Sequence, residues 1–190
     1  MEANKKGDFS PLWGTCQGFQ WLIVAASGDR DILDPKNGAQ MDAYNLSIPL
    51  DFTSAAPSSR MFSAASPEIY KILGTQNVTM NNHHYGIWTD HFKATPSLTS
   101  FFNPLSVNKD RHGDEFISTI EAFDLPIYGT QWHPEKNIFE YALWNFFCYH
   151  KFYYCIIFLL LLLSIVGTKA LLSTTHSLQS RLGNLLQIFS

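Results

Sequence analysis

Two residues far apart in the chain have the side chains and surroundings for acyl-transfer chemistry. Cys16 lies in PLWGTCQGFQWL, flanked by Gly14 and Gly18, after a short apolar run and before an apolar, helix-prone one. A strand, a sharp turn bearing the thiol and then a helix make a nucleophile elbow, and small neighbours let such a turn take a strained backbone. A helix starting there directs its positive end at the sulfur and favours thiolate, the reactive form. G-x-C-x-G alone is also compatible with a small buried thiol that does no chemistry. A thiol nucleophile needs a base within hydrogen-bond reach, which is usually remote in sequence. The candidate is His133 in YGTQWHPE, at the end of a predicted strand where Pro134 turns the chain outward. Open α/β sheets place their sites at such strand ends, and Glu135 is positioned to orient the imidazole. A histidine before proline is more often structural when it stands alone. With an elbow cysteine upstream, the balance moves to catalysis.

The elements that must position this pair are legible in outline. Residues 9–13 read as a strand, and 17–26 as a helix closed by Gly28 at the C′ position. The stretch 29–66 is rich in Gly, Pro, Asn and Ser, which suggests loops and short strands, including apolar 46–52. Residues 67–73 form a turn or two of helix with Ser66 as N-cap. Residues 78–85 read as a strand leading into NNHHYG, and 91–102 holds another short helix. The alternation in FISTIEA, 116–122, predicts a half-buried strand, and 126–132 is a second strand ending at His133.

The 190-residue chain, with 46% hydrophobic and 15% charged residues, can bury the core of one ordinary domain. A net charge of −3 with scattered basic residues gives no footprint for nucleic acid. The three cysteines, Cys16, Cys148 and Cys155, do not form a disulfide framework or a zinc-site spacing, so no metal is expected. The opening MEANKKGDFSP lacks the apolar core of a secretory signal. Without that route the sequons at Asn45 and Asn77 reach the lumen only if something else directs insertion. FYYCIIFLLLLLSIV, 152–166, approaches the length of a membrane helix, and a span over 152–172 is the expectation, against a bland reading as a buried or aggregating tail.

WGTCQGFQ with GTQWHPEK resembles the glutamine-amidotransferase-like superfamily, whose elbow cysteine pairs with the histidine of an H-P-E motif. IPLDFT, SSRMF, NVTMNNHHYGI and FISTIEAFDLPIYGTQWHPEK resemble the folate gamma-glutamyl hydrolases in particular, over residues 3–141. The resemblance implies an α/β fold, a three-layer class I amidotransferase-like domain with a mostly parallel sheet. It implies hydrolysis of the gamma-glutamyl bonds of folate (pteroyl) polyglutamates without metal or cofactor. Cys16 would be the nucleophile, His133 the base and then acid, Glu135 the orienting third member, and the backbone N–H of Gln17 an oxyanion donor. His84 matches the histidine that the family places near substrate, with His83 the lesser candidate. Arg60 in SSRMF serves either a structural salt bridge or the substrate. Lysosomal, vacuolar or extracellular placement follows by the same resemblance, and pairing into a homodimer is left open.

The similarity begins in the middle of the family's domain, so the earlier strands and the glycine-bearing loop that gives a second oxyanion donor lie outside it. Asp51 stands where the family often has a sequon asparagine, and the leucine-rich run replaces a final amphipathic helix. The expected organisation is therefore a portion of a hydrolase domain over 1–141, an apolar segment over 142–172 and a tail over 173–190, as in a truncated isoform or an incomplete gene model. Two alternatives accompany the enzyme. One is a non-catalytic, membrane-tethered fragment. The other is a glutaminase subunit of an amidotransferase, which fits the elbow but not NNHHYG or FISTIE.

Overall fold

The computed structural model describes residues 4, 6–36 and 38–136. The expectations for 142–172 and 173–190, the membrane span included, fall outside those residues. Among the described residues no helix is long and apolar enough to cross a membrane.

The chain runs β1 (Leu12–Thr15), α1 (Gln17–Ser27), β2 (Ala43–Ile48), β3 (Asp51–Phe52), a 3₁₀ turn (Ala56–Ser58), α2 (Pro67–Thr75), β4 (Thr79–His83), α3 (Thr89–Ala94), α4 (Pro96–Thr99), β5 (Phe102–Lys109), β6 (Glu115–Ala122) and β7 (Ile127–Thr130). Five strands form one sheet in the order β1-β7-β6-β5-β3, and β2 pairs with β4 separately. Apolar side chains cover both faces of the larger sheet. On one side Phe19 and Ile23 of α1, Phe92 of α3 and Leu98 of α4 meet Ile120 and Ile127. On the other, Leu73 of α2 joins Leu50, Met61 and Phe62 against Leu105, Tyr128 and Trp132. Helices on both faces of a sheet make an α/β domain in three layers.

The expectation of a mostly parallel sheet is met in the described residues by one pair, β1 with β7. The pairings β7–β6, β6–β5 and β5–β3 are antiparallel. Link length explains the first two. A parallel pair needs a crossover of a dozen residues or more, whereas only 110–114 separates β5 from β6, and 123–126 separates β6 from β7. β1 and β7 lie at opposite ends of the described chain and are free to run the same way.

Several elements form where the sequence places them. Gly28 closes α1 in the left-handed region at φ 72°, its N–H donating to the Val24 carbonyl. Ser66 caps α2 by accepting from the Ile69 N–H at 3.3 Å. β1 begins later than its apolar run suggests, because pairing on β7 starts at Leu12↔Ile127. β5 is the element that sequence reading missed. Pro104 and polar Asn103, Ser106 and Asn108 disguise it, and the sheet accommodates the proline with register shifts beside Ser106. β6 is not half-buried as its alternation suggests; it is buried from Phe116 to Ala122, because both of its faces are covered. Two of its buried polar residues are satisfied inside, while the Ser118 hydroxyl has no hydrogen-bond partner. Thr119 accepts from Ser106 Oγ at 2.7 Å and from the Trp132 indole at 3.1 Å. The Glu121 carboxylate takes the N–H groups of Arg60 at 3.3 Å and Met61 at 3.1 Å.

Candidate active site

β1 ends at Thr15 and α1 starts at Gln17, so Cys16 alone makes the turn. It sits at φ 51°, ψ −103°, a conformation that costs a residue bearing a Cβ about 1–3 kcal/mol. Two hydrogen bonds impose it: the Cys16 N–H donates to the Thr130 carbonyl at 2.8 Å, and its carbonyl accepts from the Gln20 N–H at 3.0 Å. Gln17 opens the helix, so its N–H has no acceptor within α1.

Glycines set how near the helix comes. Gly14 on β1 is in register with Gly129 on β7. A Cβ on Gly14 would stand 2.6 Å from the backbone carbon of Gly18, and one on Gly129 would stand 2.9 Å from the Phe19 ring. The first turn of α1 thus rests on two bare backbones. Gly18, read from sequence as relieving the turn, has nothing within 4 Å of an added Cβ. The constraint is a close approach at Gly14, with the positive φ carried by the cysteine itself.

β7 delivers the base. Beyond Thr130 the chain continues to His133, whose N–H donates to the Met80 carbonyl at 2.8 Å and ties this segment to β4. The His133 Nδ1 lies 2.6 Å from Glu135 Oε1, leaving the other ring nitrogen for the sulfur. A hydrogen bond with Cys16 holds the imidazole above its ordinary pKa against the opposing effect of burial, and Glu135 adds to the rise. Cys16, His133 and Glu135 are brought together as the spacing anticipates. This arrangement is able to pass a proton from sulfur to imidazole and to hold the resulting ion pair with a carboxylate.

The two histidines of NNHHYG part company. His84 is exposed, stacked on Tyr44 with ring centroids 5.3 Å apart and planes 4° from parallel, and its Nδ1 is 3.4 Å from the Met41 carbonyl. His83 is 5% exposed, its Nδ1 lying 3.0 Å from the Tyr85 carbonyl and its Nε2 3.1 Å from Asn81 Oδ1. Burial pushes its pKa down to about 4; the Tyr85 carbonyl opposes that shift, and the positive charge of His133 reinforces it. The histidine that feels the charge of His133 is therefore His83, the one ranked second from sequence. Strand alternation from buried Asn81 was the signal available for it.

Arg60 serves the scaffold. Its guanidinium donates to the carbonyls of Ala122 and Leu125 and lies 5.6 Å from the centre of the Tyr128 ring. Its partners are backbone carbonyls and a ring, so the salt-bridge expectation is replaced by carbonyl capping of the β6–β7 link. Sequence reasoning also passed over Gln131, fully buried, whose Nε2 lies 3.8 Å from the Cys16 sulfur. Among the described residues no group of three or more His, Cys, Asp or Glu side chains has the arrangement of a metal site.

A family profile described as Peptidase C26 matches residues 2–135, a range that holds the whole constellation. The chain belongs to the peptidase C26 family. Gamma-glutamyl hydrolase B of Dictyostelium discoideum is 40% identical over 141 residues, covering 74% of this chain and 39% of that protein. Gamma-glutamyl hydrolase of Mus musculus is 38% identical over 141 residues, with 74% and 42% covered. Gamma-glutamyl hydrolase 1 of Arabidopsis thaliana is 37% identical over 143 residues, with 75% and 40% covered. This C26 chain thus spans about two fifths of the length of the curated relatives it matches.

Proposed function

We propose that this C26 chain hydrolyses the gamma-glutamyl bonds of folate polyglutamates through a thioester on Cys16. The observation that supports this most directly is the continuous relay from the Cys16 sulfur to His133 to Glu135, with 2.6 Å between His133 Nδ1 and the carboxylate. The sulfur attacks the gamma-carbonyl carbon, and the carbonyl oxygen takes up negative charge facing the Gln17 N–H and the positive end of α1. The tetrahedral adduct collapses, the C–N bond breaks, and His133 gives its proton to the departing amine nitrogen. Water then enters, His133 removes its proton, and attack on the thioester releases the gamma-carboxylate and restores the thiol. Glu135 keeps the imidazole oriented through both halves. His84, exposed at the same corner as buried His83, contacts substrate in this reading. The catalytic portion is taken as 1–141, and action in a lysosomal, vacuolar or extracellular setting belongs to the same proposal.

Expression of residues 1–190 followed by a polyglutamate-shortening assay tests it. Cys16→Ala is expected to abolish shortening, His133→Asn to lower kcat by about 10²–10⁴, and Glu135→Gln to cost less. Shortening that survives Cys16→Ala overturns the mechanism. The coverage of only 39–42% of the relatives' length favours one second reading, a fragment that keeps the pair without turnover. A folded chain that shortens no polyglutamate bears out that reading. Ammonia release from free glutamine alone points instead to a glutaminase.

A further inference from the structure

Gln131 has a geometry that the relay does not use. Its backbone is fixed at the end of β7, the N–H donating to the Ser118 carbonyl at 2.9 Å. Its Nε2 lies 3.8 Å from the Cys16 sulfur. Its Oε1 is buried with no hydrogen-bond partner. That oxygen lies under Gly86, where an added Cβ would come within 3.3 Å of it. A buried amide that leaves its carbonyl unpaired forgoes a hydrogen bond, and the orientation is worthwhile when the N–H end meets a charged acceptor. The reverse orientation would set a carbonyl dipole against a thiolate.

We infer that Gln131 is a catalytic residue of this site, its side-chain N–H donating to the Cys16 sulfur and supporting the thiolate formed when His133 takes its proton. The donor stabilises the thiolate and not the thiol, since a neutral sulfur is a weak acceptor. The inference rests on Cys16 being the nucleophile proposed above, but it concerns the sulfur and not the substrate.

The test is the rate of Cys16 alkylation by iodoacetamide across pH, on the 190-residue chain with Cys148 and Cys155 replaced by serine. Gln131→Leu is expected to slow alkylation about tenfold at pH 6.5, a loss that disappears at pH 10, where the thiol ionises without help. Gln131→Glu, of nearly the same shape but presenting a carboxylate, is expected to slow it further at pH 6.5. A purely structural role would lower the melting temperature and leave the pH dependence of alkylation unmoved. A wild-type profile in folded Gln131→Leu overturns the inference. Should both variants fail to fold, the wild-type chain decides: the ¹⁵N–¹H₂ resonances of the Gln131 side chain are expected to shift with the alkylation profile, and resonances fixed across that range overturn it. Because no gamma-glutamyl substrate is used, a chain without hydrolase activity still yields either result.

Discussion

His83 and His133 are close in space yet respond to burial and charge in opposite directions. His83 loses solvent, a loss that the Tyr85 carbonyl and the charge of Asp110 oppose without offsetting, and its pKa falls to about 4 from the ordinary 6.5. His133 gains a sulfur and a carboxylate, and its pKa rises. The consequences for stability are opposite. Between pH 6.5 and 4 the unfolded chain protonates residue 83 while the folded chain does not, so stability falls as the solution is acidified, by up to about 3 kcal/mol over the window. The contribution of His133 is fully present below 6.5 and is lost as pH rises through its raised value. Urea midpoints at pH 7.5 and 4.5 check the first effect. The wild-type chain is expected to weaken on acidification and His83→Gln to weaken distinctly less; an equal slope in both would remove His83 as the cause.

The decisive contact between elements is that of α1 with the β1–β7 pair. A sequence reader sees glycines on both sides of Cys16 and credits both to the turn, but only Gly14 has backbone atoms within 3 Å of an added Cβ. Gly14→Ala is expected to lift the start of α1 and cost about 1–3 kcal/mol in thermal or urea unfolding. Gly18→Ala, with open space around it, is expected to change stability by less than about 1 kcal/mol. Similar losses in both variants would mean that α1 does not rest on the glycine pair. The same interface marks the limit of what sequence reveals. The elbow, the Gly28 cap and the Ser66 cap were legible because each is a local bargain between neighbouring residues. Gly129, Gln131 and the buried polar side chains of β6 were not, because their partners lie on other strands.

At the scale of the whole molecule, the site residues were more legible than the sheet that holds them. Cys16, His133 and Glu135 carry their own chemistry, and motif spacing brought them out. The sheet was read as mostly parallel by kinship. The antiparallel β7–β6 and β6–β5 pairings follow instead from link lengths of four and five residues, and β5 was hidden by Pro104. What spacing could not show is that the only parallel pair among the described residues is the one bearing both the thiol and the base.

The φ of 51° at Cys16 means that the proposed nucleophile is also a residue poorly suited to its place. Cys16→Ala and Cys16→Gly both remove the thiol, yet only the glycine also frees the backbone of its Cβ. The glycine variant is expected to melt a few degrees above the alanine one, a gap of about 1 kcal/mol; equal melting would mean that the bend is relaxed. Selection of this chain for heat tolerance alone would therefore drift toward silent proteins, and any effort to harden it must leave residue 16 untouched.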